Sequence, residues 1–156
     1  MNAEHRNRIE KLFGEYVSAI DENRLEDWPA LFTEQCRYIV TNRENYQAGM
    51  LHGAIYANTN GMLQDRVSAL RDANIYESQH YRHIVGSTQI LSADSEVARV
   101  KSNFLVIRIM HDGDAVIFAT GSYLDKIDIS EPTARFIERL VVCDSQKIDT
   151  LLAIPI

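Results

Sequence analysis

MLQDRVSALRDANIYESQHYRHIVG, residues Met62 to Gly86, holds the change of periodicity that decides the fold. In its first half Met62, Leu63, Arg66, Val67 and Leu70 recur at helical spacing, so one face of a short helix turns inward. From about Tyr81 the helical period is lost and β-type runs follow: Tyr81–Leu91, Val97–Met110, Ala115–Ile127 and Ala134–Asp144. Turn signals separate them. His111-Asp-Gly-Asp114 reads as a hairpin with Asp112-Gly113 at its tip. Ser92–Ser95 and Ser130–Thr133 are the other loops.

N-terminal to this junction the helical period also dominates. Ile9, Leu12, Phe13, Tyr16, Val17 and Ile20 mark one face of a helix ended by Asp21, Glu22 and Asn23. A second short helix is expected over Leu25 to Phe32, with Leu25, Trp28, Leu31 and Phe32 inward and Pro29 tolerated in the first turn. Cys36 to Val40 reads as a strand, Asn42 to Gly53 as a polar loop and Ala54 to Ala57 as a short strand. Helices first and an antiparallel meander after them is the order of an α+β domain. Strands of ten or more residues exceed the usual length and must twist and curl, with helices covering the concave face. The expected shape is a cone.

Composition fits one soluble domain spanning residues 1–156. Hydrophobic residues are 46% and charged residues 24%, ordinary for a globular chain. No apolar run approaches the ~20 residues that span a bilayer. The opening MNAEHRNRIEK has charges of both signs and no apolar core, so it does not read as a signal peptide, and a cytoplasmic location is expected. A net charge of −6 argues against non-specific nucleic-acid binding, which relies on Lys and Arg neutralising phosphates. Cys36 and Cys143 are too far apart for a C-x-x-C site and are expected to be buried free thiols.

The strand around Asn103–Met110 is apolar on both faces: Phe104, Val106 and Met110 on one, Leu105, Ile107 and Ile109 on the other. One face should pack under the helices. No helix remains to cover the other, so it signals oligomerisation. The apolar tail, Leu151 to Ile156, is expected to dock on this sheet or on a neighbouring subunit. On the second reading its removal weakens assembly more than folding.

Nucleotide and nucleophile motifs are missing: there is no G-x-x-x-x-G-K, no G-x-G-x-x-G and no G-x-S-x-G. Gly121, inside a strand run, is expected to mark a bulge or bend. Glu77-x-x-His80 followed by His83 is a tempting metal triad. However, His80 and His83 enter a strand, where residues three apart face opposite ways. Acid–base chemistry is the stronger competitor. Asp21, Tyr38, Tyr56, Asp65 and His83 are the candidates, and Asp65 or Asp21 with His83 is the minimal device for proton abstraction.

The stretch Met62–Gly86 and four others, WPALFTEQCRYIVTNREN (Trp28–Asn45), FLVIRIMHDGD (Phe104–Asp114), ATGSYLDKI (Ala119–Ile127) and VCDSQKIDTLLAIPI (Val142–Ile156), resemble in order the small (beta) subunits of Rieske aromatic-ring-hydroxylating dioxygenases. The likeness is to the branch acting on aromatic acids, terephthalate first and salicylate next. The resemblance implies a nuclear-transport-factor-2-like (SnoaL-like) cone and a chain without catalytic, metal or cofactor residues of its own. It implies three large and three small subunits, self-association of the small ones as a trimer, and a large (alpha) partner carrying the 2Fe–2S Rieske cluster and a mononuclear Fe(II). Dioxygen and NAD(P)H, through a reductase, would drive cis-dihydroxylation of the ring.

On this reading Arg66, Arg82, His83, Arg108, Ile154 and Ile156 are the candidate subunit-interface residues. Arg71, Arg135 and Arg139 share their mixed apolar surroundings, and Arg is favoured at interfaces for its planar fork. The alternatives are a stand-alone cone-fold dehydratase or isomerase using an Asp–His pair, and a non-catalytic ligand-binding homodimer.

Overall fold

The computed structural model describes residues 1–51, 53–73, 79–147, 152 and 154–156. Helix α1 (Ala3–Asp21) starts where Asn2 caps it, its side chain accepting from the His5 N–H at 2.9 Å. It ends at Asn23, whose φ of 58° suits a residue that tolerates the left-handed region. Ile9, Leu12, Phe13, Tyr16 and Ile20 are buried on its inner face. The second expected helix is two 3-10 turns, Leu25–Asp27 and Pro29–Leu31. Pro29 has no N–H to continue the first turn, so a new one starts on it.

Strand β1 (Phe32–Asn42) extends the expected strand at both ends. The expected loop that follows contains a short helix, α2 (Arg43–Gln47), capped by the Asn42 side chain, which accepts from the Asn45 N–H. After β2 (Ile55–Ala57) comes α3 (Asn60–Ala73). Asn60 is buried and donates to the carbonyls of Pro29 and Phe32, fixing the start of α3 on the 3-10 turns.

The long strands are β3 (Gln79–Ala93), β4 (Val97–Met110), β5 (Ala115–Asp128) and β6 (Arg135–Cys143). One six-stranded sheet runs β2-β1-β6-β5-β4-β3. The β1–β6 pair is parallel and the others are antiparallel. The hairpin between β4 and β5 turns on Gly113, with φ of 92°. Register shifts in β3, β4–β5 and β5–β6 coil the sheet, as bulges do. Gly121 is a regularly paired residue of β5, opposite Phe104 and Cys143, where a Cβ would lie 2.0 Å from the Val142 carbonyl oxygen.

The centre of the concave face is filled by aromatic side chains. Trp28, Tyr16, Tyr38, Tyr123 and Phe136 are fully buried and meet mostly edge to face, the arrangement the ring quadrupole favours. Among the described residues, no helix is long and apolar enough to cross a membrane.

Candidate functional site

Three features carry polar or unpartnered groups, and each grows from one element meeting another. The first is where the end of α1 reaches β3. Asp21 Oδ1 lies 2.6 Å from His83 Nδ1, and Oδ2 accepts the His83 backbone N–H at 2.9 Å. Both side chains are buried. His83 Nε2 has no hydrogen-bond partner among the described residues. Asp21 is therefore the acid that meets His83, while Asp65 is exposed on α3. A recess of about 560 Å³ lies beside Asp21, bounded by Ile20, His80, Tyr81, Met110, His111 and Ile154 among others.

The second feature lies deeper. Arg139 on β6 and Asp125 on β5 are cross-strand partners joined by two hydrogen bonds, at 2.8 and 2.7 Å. The guanidinium stands 4.0–4.2 Å from the ring centres of Tyr123, Phe136 and Tyr16. Burial works against its charge, yet the Asp125 carboxylate outweighs this and holds Arg139 protonated, with its pKa raised. Sequence reasoning placed Arg139 among possible interface residues; it is spent inside the core. Asp125 was missed, and the only local signal was a charge at an inward position of an alternating strand.

The third feature is the seat of the last residues. Ile156 is fully buried, and Ile154 nearly so. The Ile156 carbonyl accepts from Tyr16 and Tyr38 hydroxyls, each at 2.8 Å, and its N–H donates to the Tyr38 oxygen at 3.1 Å. Burial raises the pKa of both phenols, so both remain protonated donors. Arg66 on α3 donates to the Leu152 carbonyl at 2.9 Å.

The remaining sequence candidates scatter. Arg82 is exposed on the outer sheet face, and Arg108 lies over the Phe118 ring, 4.7 Å from its centre. Arg71 forks onto Glu26 and also reaches Asn23. Tyr56 is half exposed. Tyr38 belongs to the core. Glu77 and Leu151 lie outside the described residues, and no group of three or more His, Cys, Asp or Glu side chains is placed to hold a metal ion among the described ones.

The outer face of the sheet divides in two. Over β1, β5 and β6, Leu51 packs on Ile39, Leu124, Leu140 and Val142, a cover from within the chain that the sequence did not suggest. Over β3–β5 the apolar row stays open: Ile84 is 53% and Ile117 72% exposed, and Leu105 and Ile107 lie beside them in register.

Helices on a coiled six-stranded sheet, with a filled centre, define an α+β domain of the nuclear-transport-factor-2-like class. The chain belongs to the ring hydroxylating beta subunit family, whose model matches residues 16–150. It is thus one part of a ring-hydroxylating oxidoreductase. It is 46% identical to the terephthalate 1,2-dioxygenase terminal oxygenase component subunit beta 2 of Comamonas sp, over 90% of this chain and 92% of the relative. It is 34% identical to the anthranilate 1,2-dioxygenase small subunit of Burkholderia cepacia, over 95% and 92%. A solved beta subunit assigned to an aromatic-ring-hydroxylating dioxygenase of Novosphingobium aromaticivorans superposes with a TM-score of 0.89 at 35% identity, covering 96% of this chain and 95% of that one.

Proposed function

We propose that this chain is the non-catalytic small subunit of a Rieske oxygenase acting on an aromatic acid, with terephthalate the first substrate to try. The structural role rests on one observation: the centre of the concave face, where a cone-shaped domain would hold a substrate, is occupied by Tyr16, Trp28, Tyr38, Tyr123, Phe136 and Ile156, and the recess beside Asp21 is not lined by His83. The substrate rests on the 46% identical relative. In this reading a large partner holds the 2Fe–2S cluster and the mononuclear iron, a reductase supplies electrons from NAD(P)H, and the ring is cis-dihydroxylated with dioxygen in the cytoplasm.

The small chains associate as a trimer and seat three large subunits. The open row of Ile84, Leu105, Ile107 and Ile117 supplies apolar area for such contacts. Arg82 and Arg108 stand close to that boundary in sequence. Arg66, His83, Ile154 and Ile156 support it from beneath by holding the adjoining fold. Co-expression with a Rieske large chain tests the reading. The expected result is a complex of three and three, turning over terephthalate, whose iron resides in the large chain. A small chain that stays apart from every Rieske partner overturns it.

A stand-alone dehydratase or isomerase has one observation in its favour, the Asp21–His83 pair with its unpartnered Nε2. Asp21 orients the ring as a general base requires. The His83 side chain is fully buried, however, and a substrate would have to displace core packing to reach it.

A further inference from the structure

We infer that the end of the β4–β5 hairpin of one small chain seats on a basic cluster of the next copy. The inference rests on the small-subunit reading and names the two surfaces through which copies meet. Both surfaces lie on this chain, and folding alone explains neither.

The hairpin end is open on both faces. His111 to Ile117 are all exposed, although successive residues of a strand point to opposite faces. Val116 is 45% and Ile117 72% exposed, and β6 pairs with β5 only from Gly121 onward. The tip carries Asp112 and Asp114. Asp112 accepts the Asp114 N–H at 2.9 Å and so shapes the turn. Neither carboxylate has an ion pair among the described residues. The result is an arm, acidic at its tip and apolar behind it.

The basic cluster lies toward the other end of the same strands. Arg99 on β4 stands directly across the ladder from Lys126 on β5. Lys101 follows Arg99 on the same face, opposite Leu124. Like charges directly opposite one another destabilise a sheet, and none of the three cations has an ion pair among the described residues. The carboxylates nearest in register are engaged elsewhere. Glu138, opposite Lys126, is held by Arg37, and Asp128 accepts from the N–H and hydroxyl of Ser130. A chain of net charge −6 thus sets three cations side by side on the outer face of its sheet. Further along that face stand Leu105 and its cross-strand partner Ile84.

Arm and cluster match in charge and in span. Asp114 and Ile117 are three residues apart and Lys101 and Leu105 four, about 10 and 13 Å at the rise of a strand. An arm with its tip on the cations therefore brings Ile117 over Leu105 and Ile84. One chain cannot make this contact with itself, because nine residues of β4 separate Lys101 from Met110, roughly 30 Å. The occupant is a second copy. Each chain gives its arm and receives one, the head-to-tail contact that closes into a ring. Arm on arm, or cluster on cluster, would set like charges together.

The test is a charge swap in the whole chain, with Asp114→Lys, Arg99→Glu plus Lys101→Glu, and all three together. These positions are exposed, and Arg99→Glu places a carboxylate opposite Lys126, so the dilute chains are expected to keep the wild-type circular dichroism and melting temperature. Self-association is read by sedimentation equilibrium of the small chain and by the mass of its complex with the large chain. Either reversal is expected to weaken self-association by about tenfold or more, and the triple variant to restore most of the loss. Wild-type self-association in both reversed variants, or a triple variant no better than they are, overturns the inference while leaving the small-subunit reading in place. Lost large-chain binding with self-association intact overturns the choice of occupant. A wild-type assembly holding two small chains rather than three overturns the ring. A wild-type chain that binds no Rieske large chain overturns the reading beneath it.

Discussion

Asp21 grips His83 twice, through the ring at 2.6 Å and through the backbone N–H at 2.9 Å, and so pins the end of α1 to the third strand. Removing one partner of a buried polar pair leaves the other unpaired, at a cost of roughly 3–5 kcal/mol where the pair is charged. His83→Ala and Asp21→Asn are therefore expected to lower the urea midpoint clearly. In the reconstituted complex, assembly should be measured first and turnover per assembled iron site second. Turnover per site is expected to hold. A fall of ~10²–10⁴ with assembly, cluster and iron intact would reveal a catalytic base.

Arg139→Met is expected to destabilise by about 3–5 kcal/mol, because Asp125 is then buried without its counter-charge. Adding Asp125→Leu should restore much of the loss, since an apolar pair of similar volume needs no compensation. Denaturant curves of the two single variants and the double variant give the coupling. Additive losses would contradict the pairing.

Ile156→Ala is expected to cost about 2–5 kcal/mol, as truncation of a buried Ile does. Tyr38→Phe, which removes hydroxyl bonds to the Ile156 backbone, should cost about 0.5–1.5 kcal/mol. Deleting Ile154–Ile156 should therefore show as lost folding in far-UV circular dichroism before any assembly defect can be read. A folded truncated chain that assembles poorly would return these residues to the interface.

Burial pushes the Cys36 thiol up to about 11 and the Cys143 thiol up to about 12. At pH 8 the thiolate fraction is then roughly one in a thousand or less, and the thiolate is the reactive form. Ellman's reagent should label neither cysteine in the native chain and both after unfolding. Fast native labelling would contradict the burial.

Glu26 is held down to about 2 by its hydrogen bonds from Arg71. A carboxyl depressed in the folded state contributes stability above its ordinary value near 4.5, and loses it as pH falls toward about 2. The pair is largely exposed, so the contribution is under about 1 kcal/mol and screened by salt. The stability difference between wild type and Glu26→Gln should shrink between pH 5 and pH 2.5, and a constant difference would argue against the ion pair.

Local signals were legible in the sequence. The β4 bounds Val97–Met110 were readable because alternation and an Asp-Gly turn are properties of neighbouring residues. The 3-10 turns were not, because Leu25, Trp28, Leu31 and Phe32 satisfy helical spacing while Pro29 acts through one missing N–H. His83 was a visible candidate, but its choice of Asp21 over Asp65 depends on where the end of one helix lies over one strand. Asp125 with Arg139 was hidden for the same reason: the pairing is set by register between strands.

Ile84 and Ile117 also set the terms on which this chain exists before it meets anything else. They lie on the half of the sheet nearest β3, an edge strand with no neighbour beyond it among the described residues. An apolar patch beside an open strand edge is the surface on which unpartnered chains stick to one another. The chain made alone is thus expected to be limited by solubility rather than by stability. Its yield should depend on how soon it is captured, which favours synthesis in step with whatever covers that face.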